Sequence, residues 1–488
     1  MKIKYLVCVI ALAVIAKNSF AQYSQDVIRY STFQTGSTSR IKAIGNAGTA
    51  IGGDLSSIGN NPAGLGFFTK SELSITPEFD GSKVNSSYLN QSNSASSNTV
   101  NLNNISWLFY NRLNTPTGQD KTKGWLSLNF GVAYNRTNEY GENIYAAGKN
   151  NSSSITDYYA NLANSGGLPD GSLQSWAYNQ NLIDQYGVTN PTYKSNAYTG
   201  VSQLNSISRS GGQSEFDFSM GANYSNKLYL GLGLAITDLQ YNSTNNFIES
   251  GTASVLENDV AVNRNYTSTY SQLQNTKGSG VNVKLGIIYK LLESVRLGVV
   301  VTSPTYYSID DSYNESLSTN LGSGASYANG PASYPLTYSF TSPLKIAGGL
   351  AIFIKQFGFI TGDVEYIDYT ATNISNSAYN SSMDNTDIKT NYRAAVNAHM
   401  GAEARLSGGV FLRGGFGVQG SPLKQNGTAT QTVSGGLGYH FGSYYVDATY
   451  AYVTGSETLT PYDAGSLTPT ANLSRINNNV FLTIGYRY

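Results

Sequence analysis

The stretch NYRAAVNAHMGAEARL (391–406) decides the fold class. Its even-numbered positions, from Tyr392 to Leu406, are apolar throughout, whereas its odd-numbered positions are mostly polar or charged. A two-residue period is the signature of a β-strand with one apolar face. The stretches KLYLGLGLAIT (227–237) and VNVKLGIIY (281–289) alternate in the same way. The sequence therefore predicts an all-β protein built from strands with one apolar face.

Two architectures use such strands, the soluble β-sandwich and the transmembrane β-barrel. The predicted strands are about 10–15 residues long, whereas soluble strands average about 5–6 residues. Aromatic residues recur near the strand ends, and short turns alternate with polar connections, as in outer-membrane barrels. Fourteen strands are predicted, an even number, near residues 71–80, 101–111, 124–138, 213–225, 227–242, 277–291, 294–309, 334–355, 357–370, 391–406, 408–420, 430–441, 443–455 and 476–488. We therefore predict a transmembrane antiparallel β-barrel, with Pro335 and Pro343 bending its eighth strand.

Composition agrees with a barrel and excludes other classes. The chain has 488 residues, of which only 12% are charged, and its 30 basic residues balance its 30 acidic ones. This balance leaves no basic excess for nucleic-acid binding. The 38 tyrosines and 51 glycines are unusual for a cytosolic enzyme.

The N-terminus has the features of a secretory signal peptide. Lys2 and Lys4 precede an apolar run of 12 residues, Tyr5 to Ala16, and small residues flank a cleavage point after Ala21. A membrane anchor is the alternative, but 12 residues are too few to span a bilayer, which needs about 20. Residues 1–21 are therefore predicted to be removed, together with Cys8, the single cysteine.

Residues 22–70 do not follow the strand period. They contain small residues and short apolar patches, which predict helical turns and loops. A barrel of fourteen strands is wide enough to need filling. We predict that residues 22–70 form a plug in the lumen and that residues 71–488 form the barrel, with long extracellular loops.

Within the plug, GNAGTAIGGDLSSIGNNPAGL (45–65) resembles the N-terminal hatch of the FadL/TodX family of outer-membrane transport proteins for hydrophobic compounds. The family's Asn-Pro-Ala element is matched by Asn61, Pro62 and Ala63. RGGFGVQGSP (413–422) and VSGGLGYHFG (433–442) are also similar to the family. The resemblance implies a porin-like, fourteen-stranded barrel with the hatch inside. It also implies passive uptake of hydrophobic small molecules such as long-chain fatty acids, with hatch rearrangement and lateral exit through the wall.

The polar connections leave other functions open. Residues 81–100, 139–212, 243–276, 310–333 and 371–390 are rich in Asn, Ser and Tyr and show no apolar groove for an acyl chain. They are either a solvated surface or an adaptable recognition surface. The alternatives are a FadL-like barrel that handles proteins, as in the shuttle component of type IX secretion, and a surface receptor for haem or another ligand.

Strand parity assigns candidate lumen-facing residues, namely Arg393, His399, Glu403, Arg405 and Arg413. The sequence contains only two histidines, His399 and His440, on separate strands and without metal-ligand spacing. We therefore expect no catalytic residues, no cofactor and no metal. The expected partners are outer-membrane lipid, a hydrophobic small-molecule ligand and, through the final strand that ends at Tyr488, the barrel assembly machinery.

Overall fold

The computed structural model describes residues 21–32, 34, 36–114, 120–187, 191–258, 260–322, 324–375 and 379–488. Most of the predicted signal peptide lies outside these residues. The described chain is dominated by one closed antiparallel β-barrel, in which β1 pairs with the last strand, Glu72 opposite Arg487 and Tyr88 opposite Ala471. The predicted fold class, a fourteen-stranded barrel, is confirmed.

Twenty strands build the sheets: β1 (Glu72–Tyr88), β2 (Gln91–Phe109), β3 (Trp125–Glu139), β4 (Glu142–Asn150), β5 (Ile183–Tyr186), β6 (Thr192–Ser195), β7 (Val201–Tyr224), β8 (Leu228–Glu257), β9 (Val260–Leu292), β10 (Val295–Thr302), β11 (Tyr306–Leu321), β12 (Ser326–Thr341), β13 (Lys345–Ile354), β14 (Gly358–Asp368), β15 (Asn373–Ser375), β16 (Ala394–Arg405), β17 (Val410–Gln419), β18 (Thr430–Phe441), β19 (Tyr444–Leu459) and β20 (Ala471–Arg487). Four positions of the wall are each shared by two consecutive strands, namely β3 with β4, β10 with β11, β12 with β13, and β14 with β15. Strands β5 and β6 form a small separate sheet.

Five short α-helices accompany the strands: α1 (Ala21–Ser31), α2 (Ser39–Ala43), α3 (Ile155–Gly166), α4 (Leu173–Asn179) and α5 (Ser382–Asn391). Two 3₁₀ turns, Leu55–Ile58 and Pro62–Phe67, follow α2. None of the helices in the described ranges is long and apolar enough to cross a membrane.

The outer face of the wall carries a band of exposed apolar side chains. On β8, Leu232 is 40% exposed and Leu234 44% exposed, whereas Gly233 and Ala235, at the alternate positions, point inward. Val396 and Met400 on β16 are also exposed, while Leu228 and Leu230 are half-buried. Such an apolar belt is the surface that lipid covers in a transmembrane barrel.

Three of the predicted long connections are strands instead. Residues 81–100 belong to the β1–β2 hairpin, whose turn is only Leu89 and Asn90. Residues 243–276 lie in β8 and β9, and residues 310–333 lie mostly in β11 and β12. These segments are rich in polar residues, and their few buried apolar side chains, such as Val84, Phe247 and Leu317, give no sustained alternation. Their backbone groups still pair across the sheet.

Prolines interrupt two neighbouring wall strands at the same height. Pro304 separates β10 from β11, and Pro343 separates β12 from β13, because proline cannot donate to the ladder. The two breaks are joined by hydrogen bonds between the backbone of Thr305 and Ser342. The predicted bend at Pro343 is thus a break in the strand, whereas Pro335 lies within β12, opposite Ser312.

Candidate functional site

The described part of residues 22–70, here called the plug, lies inside the barrel. Its apolar side chains Ile41, Ile44, Leu55 and Leu65 are at most 2% exposed. They pack against inward-facing side chains of the wall, such as Phe359. The plug therefore fills the lumen where the wall crosses the membrane.

The Asn61-Pro62-Ala63 element is a buried corner of the plug. The Asn61 side chain accepts a hydrogen bond from the Ala63 backbone N–H (3.2 Å) and donates one to the carbonyl of Thr49 (2.7 Å). Pro62 begins a 3₁₀ turn, as expected from its fixed φ. Asn61 thus ties together two parts of the plug rather than plug and wall.

The wall receives the plug through a belt of inward-facing glycines. A side chain at Gly231 would place its Cβ 2.1 Å from the Ala63 nitrogen, and one at Gly415 would meet the Gly45 nitrogen at the same distance. Real Cβ atoms do not approach backbone so closely, so only glycine permits this seat. Other members of the belt also lie against the plug. Gly221, Gly298 and Gly401 face its backbone, whereas Gly131, Gly286, Gly349 and Gly436 face its side chains.

The adjacent glycines of β17 provide a matched test of the seat. We expect Gly415→Val to displace the plug and raise ion conductance in planar bilayers, because overpacking costs about 1–3 kcal/mol and here strikes backbone. Gly414→Val is the control, since nothing lies within 4 Å of the Cβ position at Gly414. Equal conductance of the two variants would contradict the seat.

Buried ion pairs also hold the plug. Arg40 of α2 donates from Nε to Glu403 of β16 (2.7 Å), which also accepts from Arg413 of β17 (2.9 Å). Asp363 of β14 accepts a hydrogen bond from the Thr49 backbone N–H (2.8 Å). Removing one partner of a buried pair leaves an uncompensated charge, so these contacts fix the position of the plug.

The structure places the five candidate lumen-facing residues at different heights. Glu403 and Arg413 are buried in the barrel interior, each 3% exposed. The Nδ1 atom of His399 lies 2.8 Å from the Gly45 carbonyl of the plug. Arg405 lies near the turn after β16 and is partly exposed. Arg393 lies before β16, where it is exposed and donates to the Ser421 carbonyl.

An aromatic chamber surrounds the first part of the plug, toward the long extensions of the strands. Helix α1 occupies its centre and buries Val27, Ile28 and Tyr30. The Tyr30 ring contacts the rings of Tyr140 (6.1 Å between centroids) and Tyr241 (6.0 Å). Further rings and aliphatic side chains complete the chamber, namely Tyr307, Tyr338, Phe340, Tyr369, Tyr392, Leu239, Ile309, Ile367, Ile374 and Ile388. Helix α1 thus fills an apolar space inside the barrel wall.

A folded lid covers the chamber from outside the membrane. Helices α3 and α4 pack on the extended parts of β7, β8, β9 and β11. The Glu249 carboxylate is fully buried in this lid and accepts hydrogen bonds from the Ile155 N–H (3.0 Å) and the Tyr266 hydroxyl (2.6 Å). The solvated-surface interpretation of residues 139–212 was therefore wrong for most of this connection. Outside the lid, in α5, burial raises the pKa of the Asp384 carboxyl to about 6.

The ladder between β2 and β3 is incomplete. It joins only residues 104–109 with 130–135, although β2 pairs with β1 along its whole length. The gap begins above the Asn104–Asn135 pair and is bounded on its far side by a hydrogen bond from Asn101 to Glu139 (2.8 Å).

Backbone of the plug fills this gap. A Cβ on Gly36 would lie 2.6 Å from the carbonyl oxygens of both Asn103 and Arg136. The Gln34 N–H donates to the Thr137 carbonyl (3.1 Å), and Asn138 donates to the Thr32 carbonyl (2.9 Å). The described residues of the plug between α1 and α2 therefore occupy the gap that opens where β3 separates from β2.

Two polar cavities flank the plug at this height. One, of about 300 Å³, extends from Asn103 and Arg136 at the gap to Gln419 on the far wall. The other, of about 110 Å³, is lined by Lys284, Asp363 and Glu365. Among the described residues, no group of three or more His, Cys, Asp or Glu side chains is placed to hold a metal ion.

Comparison with known proteins identifies the architecture. No family model and no curated protein matches the sequence. The toluene transporter TodX of Pseudomonas putida superposes with a TM-score of 0.51 at 12% identity, over 93% of this chain and 99% of that chain. The fold is that of the FadL/TodX barrels. A FadL homologue of Pseudomonas aeruginosa gives a TM-score of 0.54 at 11% identity, over 93% and 99% of the two chains.

The FadL/TodX fold confirms the resemblance that the sequence suggested. At such low identity the likeness concerns the architecture of the barrel. Substrate and route have to be argued from the residues of this chain.

Proposed function

We propose that the protein is an outer-membrane channel for the passive uptake of hydrophobic small molecules. The observation that carries this proposal is the gap between β2 and β3, filled by plug backbone at Gly36. A gap in a closed wall gives an apolar molecule a way into the bilayer that avoids water. The TodX neighbour, a toluene transporter by name, supports the same class of substrate.

The proposed route runs from the lid through the aromatic chamber to the gap. A substrate displaces α1, whose Val27, Ile28 and Tyr30 hold the apolar space. Below the chamber, Lys284, Asp363 and Glu365 make the lumen polar, so an apolar molecule gains nothing by continuing toward the periplasm. Withdrawal of the segment around Gly36 then opens lateral exit. Toluene and long-chain fatty acids are both candidate substrates.

We also propose that the chain is exported with removal of residues 1–21 and inserted by the barrel assembly machinery, which recognises the strand ending at Tyr488. The exposed apolar belt of the wall supports a place in the outer membrane.

A reversible disulfide that holds the plug in the β2–β3 gap, here called the lock, tests lateral exit. We expect the Gln34→Cys/Thr137→Cys pair to form a disulfide, because a 3.1 Å backbone hydrogen bond brings the two Cα atoms within the usual bridging range. The oxidised protein in liposomes should lose toluene and palmitate uptake, and reduction should restore both, because the bond holds the plug in the gap.

Each single cysteine variant serves as the control, since it cannot close the lock. Gel mobility before and after reduction reports whether the disulfide has formed. Uptake by the oxidised double variant at the rate of the reduced one would contradict lateral exit. Recovery of toluene but not palmitate uptake after reduction would narrow the substrate class to small molecules.

The ordered lid favours surface recognition as a second candidate function. It presents exposed tyrosines, namely Tyr178, Tyr186 and Tyr198, on a folded support. Rigid tyrosines of this kind are typical of recognition surfaces. Binding of a protein or haem to the lid, undiminished by the closed lock, would favour this function over uptake.

A further inference from the structure

A second chamber, here called the vestibule, opens below the plug at the end of the barrel that carries the short turns. It is a cavity of about 330 Å³. Arg296 lines it just after the turn between β9 and β10, and Arg405 and Phe411 line it on either side of the turn between β16 and β17. The plug contributes Arg40 and Phe67. This chamber lies apart from the proposed route, which leaves the lumen at the β2–β3 gap.

The vestibule is rich in guanidinium groups, most of which are neutralised. Arg40 pairs with Glu403 and Asp54, and Arg405 lies 3.4 Å from Glu403. Arg487 pairs with Glu72 at 2.8 Å. Within the described ranges, no carboxylate lies within salt-bridge distance of Arg296. Among the described arginines that line the vestibule, Arg296 is thus the one without a salt bridge.

Two phenyl rings hold the Arg296 guanidinium between them. Its Cζ lies 4.2 Å from the centroid of Phe67 and 4.0 Å from that of Phe353. Its Nη1 donates to the Ile51 carbonyl of the plug, while Nε makes no hydrogen bond. A guanidinium clamped in this way is preorganised to meet a planar anion edge-on, as in Arg–carboxylate pairs.

The rest of the lining suits an apolar body rather than a bare ion. Phe67, Phe353 and Phe411 supply aromatic surface around the charged groups. The His440 ring, also in the lining, packs against the Phe411 ring with 4.3 Å between centroids and extends this surface. Aromatic surface beside a few fixed polar groups is typical of small-molecule sites.

We propose that the vestibule binds a small organic anion, a carboxylate carried on an aromatic or short apolar body. The carboxylate lies against Arg296, with Arg405 as the second positive group, and the body packs on the phenyl rings. A bare phosphate satisfies the charge but leaves the rings uncovered, so it binds more weakly.

The test is a fluorine NMR titration of 4-fluorobenzoate against the full chain in nanodiscs. We expect saturable binding, and a loss of about 10- to 100-fold in affinity for Arg296→Gln, which is the usual contribution of a hydrogen-bonded charge. Arg264→Gln is the matched control, because Arg264 lies at the opposite end of the barrel and pairs with Glu257. It should bind like the unmodified protein.

Two further probes separate charge from shape. The neutral 4-fluorobenzyl alcohol should bind far more weakly than 4-fluorobenzoate, and inorganic phosphate should displace 4-fluorobenzoate only at much higher concentration. Should Arg296→Gln fail to fold, as judged by heat-dependent gel mobility, Arg405→Gln replaces it, with a smaller expected loss. The proposal is overturned by non-saturable binding, by an unchanged affinity in the folded variant, or by phosphate competing as well as benzoate.

Discussion

Deletion of residues 22–70 should convert a nearly closed barrel into an open pore, with single-channel conductance raised about tenfold or more, as expected for a wide barrel without filling. The plug occupies the lumen at the height of the glycine belt, where Gly231 and Gly415 touch its backbone. Once the plug is absent, only side chains on the wall narrow the pore. Planar bilayer recordings of the two proteins measure the change.

The wall should survive this deletion because its buried charges retain partners. Glu403 keeps Arg413, and Lys284 keeps both Glu215 and Asp217 at 2.7 Å. The Asp363 carboxylate loses its hydrogen bonds from Gly48 and Thr49 of the plug and gains water in the open lumen. We therefore expect the deletion variant to remain resistant to unfolding by detergent on unheated gels.

A shorter deletion separates the two parts of the plug. Removal of residues 22–37 empties the aromatic chamber and the β2–β3 gap but leaves the glycine belt occupied. Its conductance should stay close to that of the full chain. If the long deletion is as tight as the full chain, another part of the protein seals the lumen, and the plug assignment is wrong.

The membrane-spanning part of the fold could be predicted from sequence because lipid imposes a strict pattern. On β8 and β16, parity alone placed Leu232 and Met400 outside and Gly233 and Glu403 inside. Above the membrane the outer face of a strand meets water, and the inner face carries only scattered apolar residues such as Phe247 and Tyr266 among Ser, Asn and Thr, so no sustained period remains. Backbone pairing continues there nonetheless, and residues 243–276 were therefore misread as a loop.

The candidate site could be predicted only in part. The Asn61-Pro62-Ala63 element identified the plug, but the seat depends on which wall glycines face it, such as Gly286 next to the Asn61 side chain. The β2–β3 gap leaves no local signal, since it arises where Gly36, distant in sequence, takes the place of a strand neighbour. Arg393 follows the parity of Glu403 but precedes the strand, so its orientation could not be deduced from the alternation.

Leu232→Arg should prevent assembly, the second large effect. Leu232 lies in the apolar belt, opposite Leu285 and Met220 of the neighbouring strands. An arginine facing lipid near the bilayer midplane costs about 2–4 kcal/mol, which shifts a folding equilibrium by roughly two orders of magnitude. The measurement is the fraction of protein that migrates as folded barrel on unheated gels after refolding into lipid vesicles.

Leu256→Arg is the control on the same strand and the same outer face. Leu256 is 57% exposed, but it lies about 80 Å along the strand from Leu232 at the usual rise per residue. The outer face turns polar above Ile236, at Asp238, Gln240 and Asn242, so the upper half of β8 stands in water. Arginine at position 256 should therefore leave the folded fraction unchanged.

Gly233→Arg tests the inner face at the same height. Its Cβ would lie 2.6 Å from the Ser219 hydroxyl and 3.2 Å from Pro62 of the plug, so it should disturb the plug rather than the insertion. We expect a folded but more conductive barrel. Loss of folding in all three arginine variants would mean that β8 tolerates arginine nowhere, and the boundary of the membrane at Ile236 would be wrong. Loss at position 232 alone would place the membrane boundary between Leu232 and Leu256, because the two residues share one continuous outer face of β8 and differ in their contact with lipid.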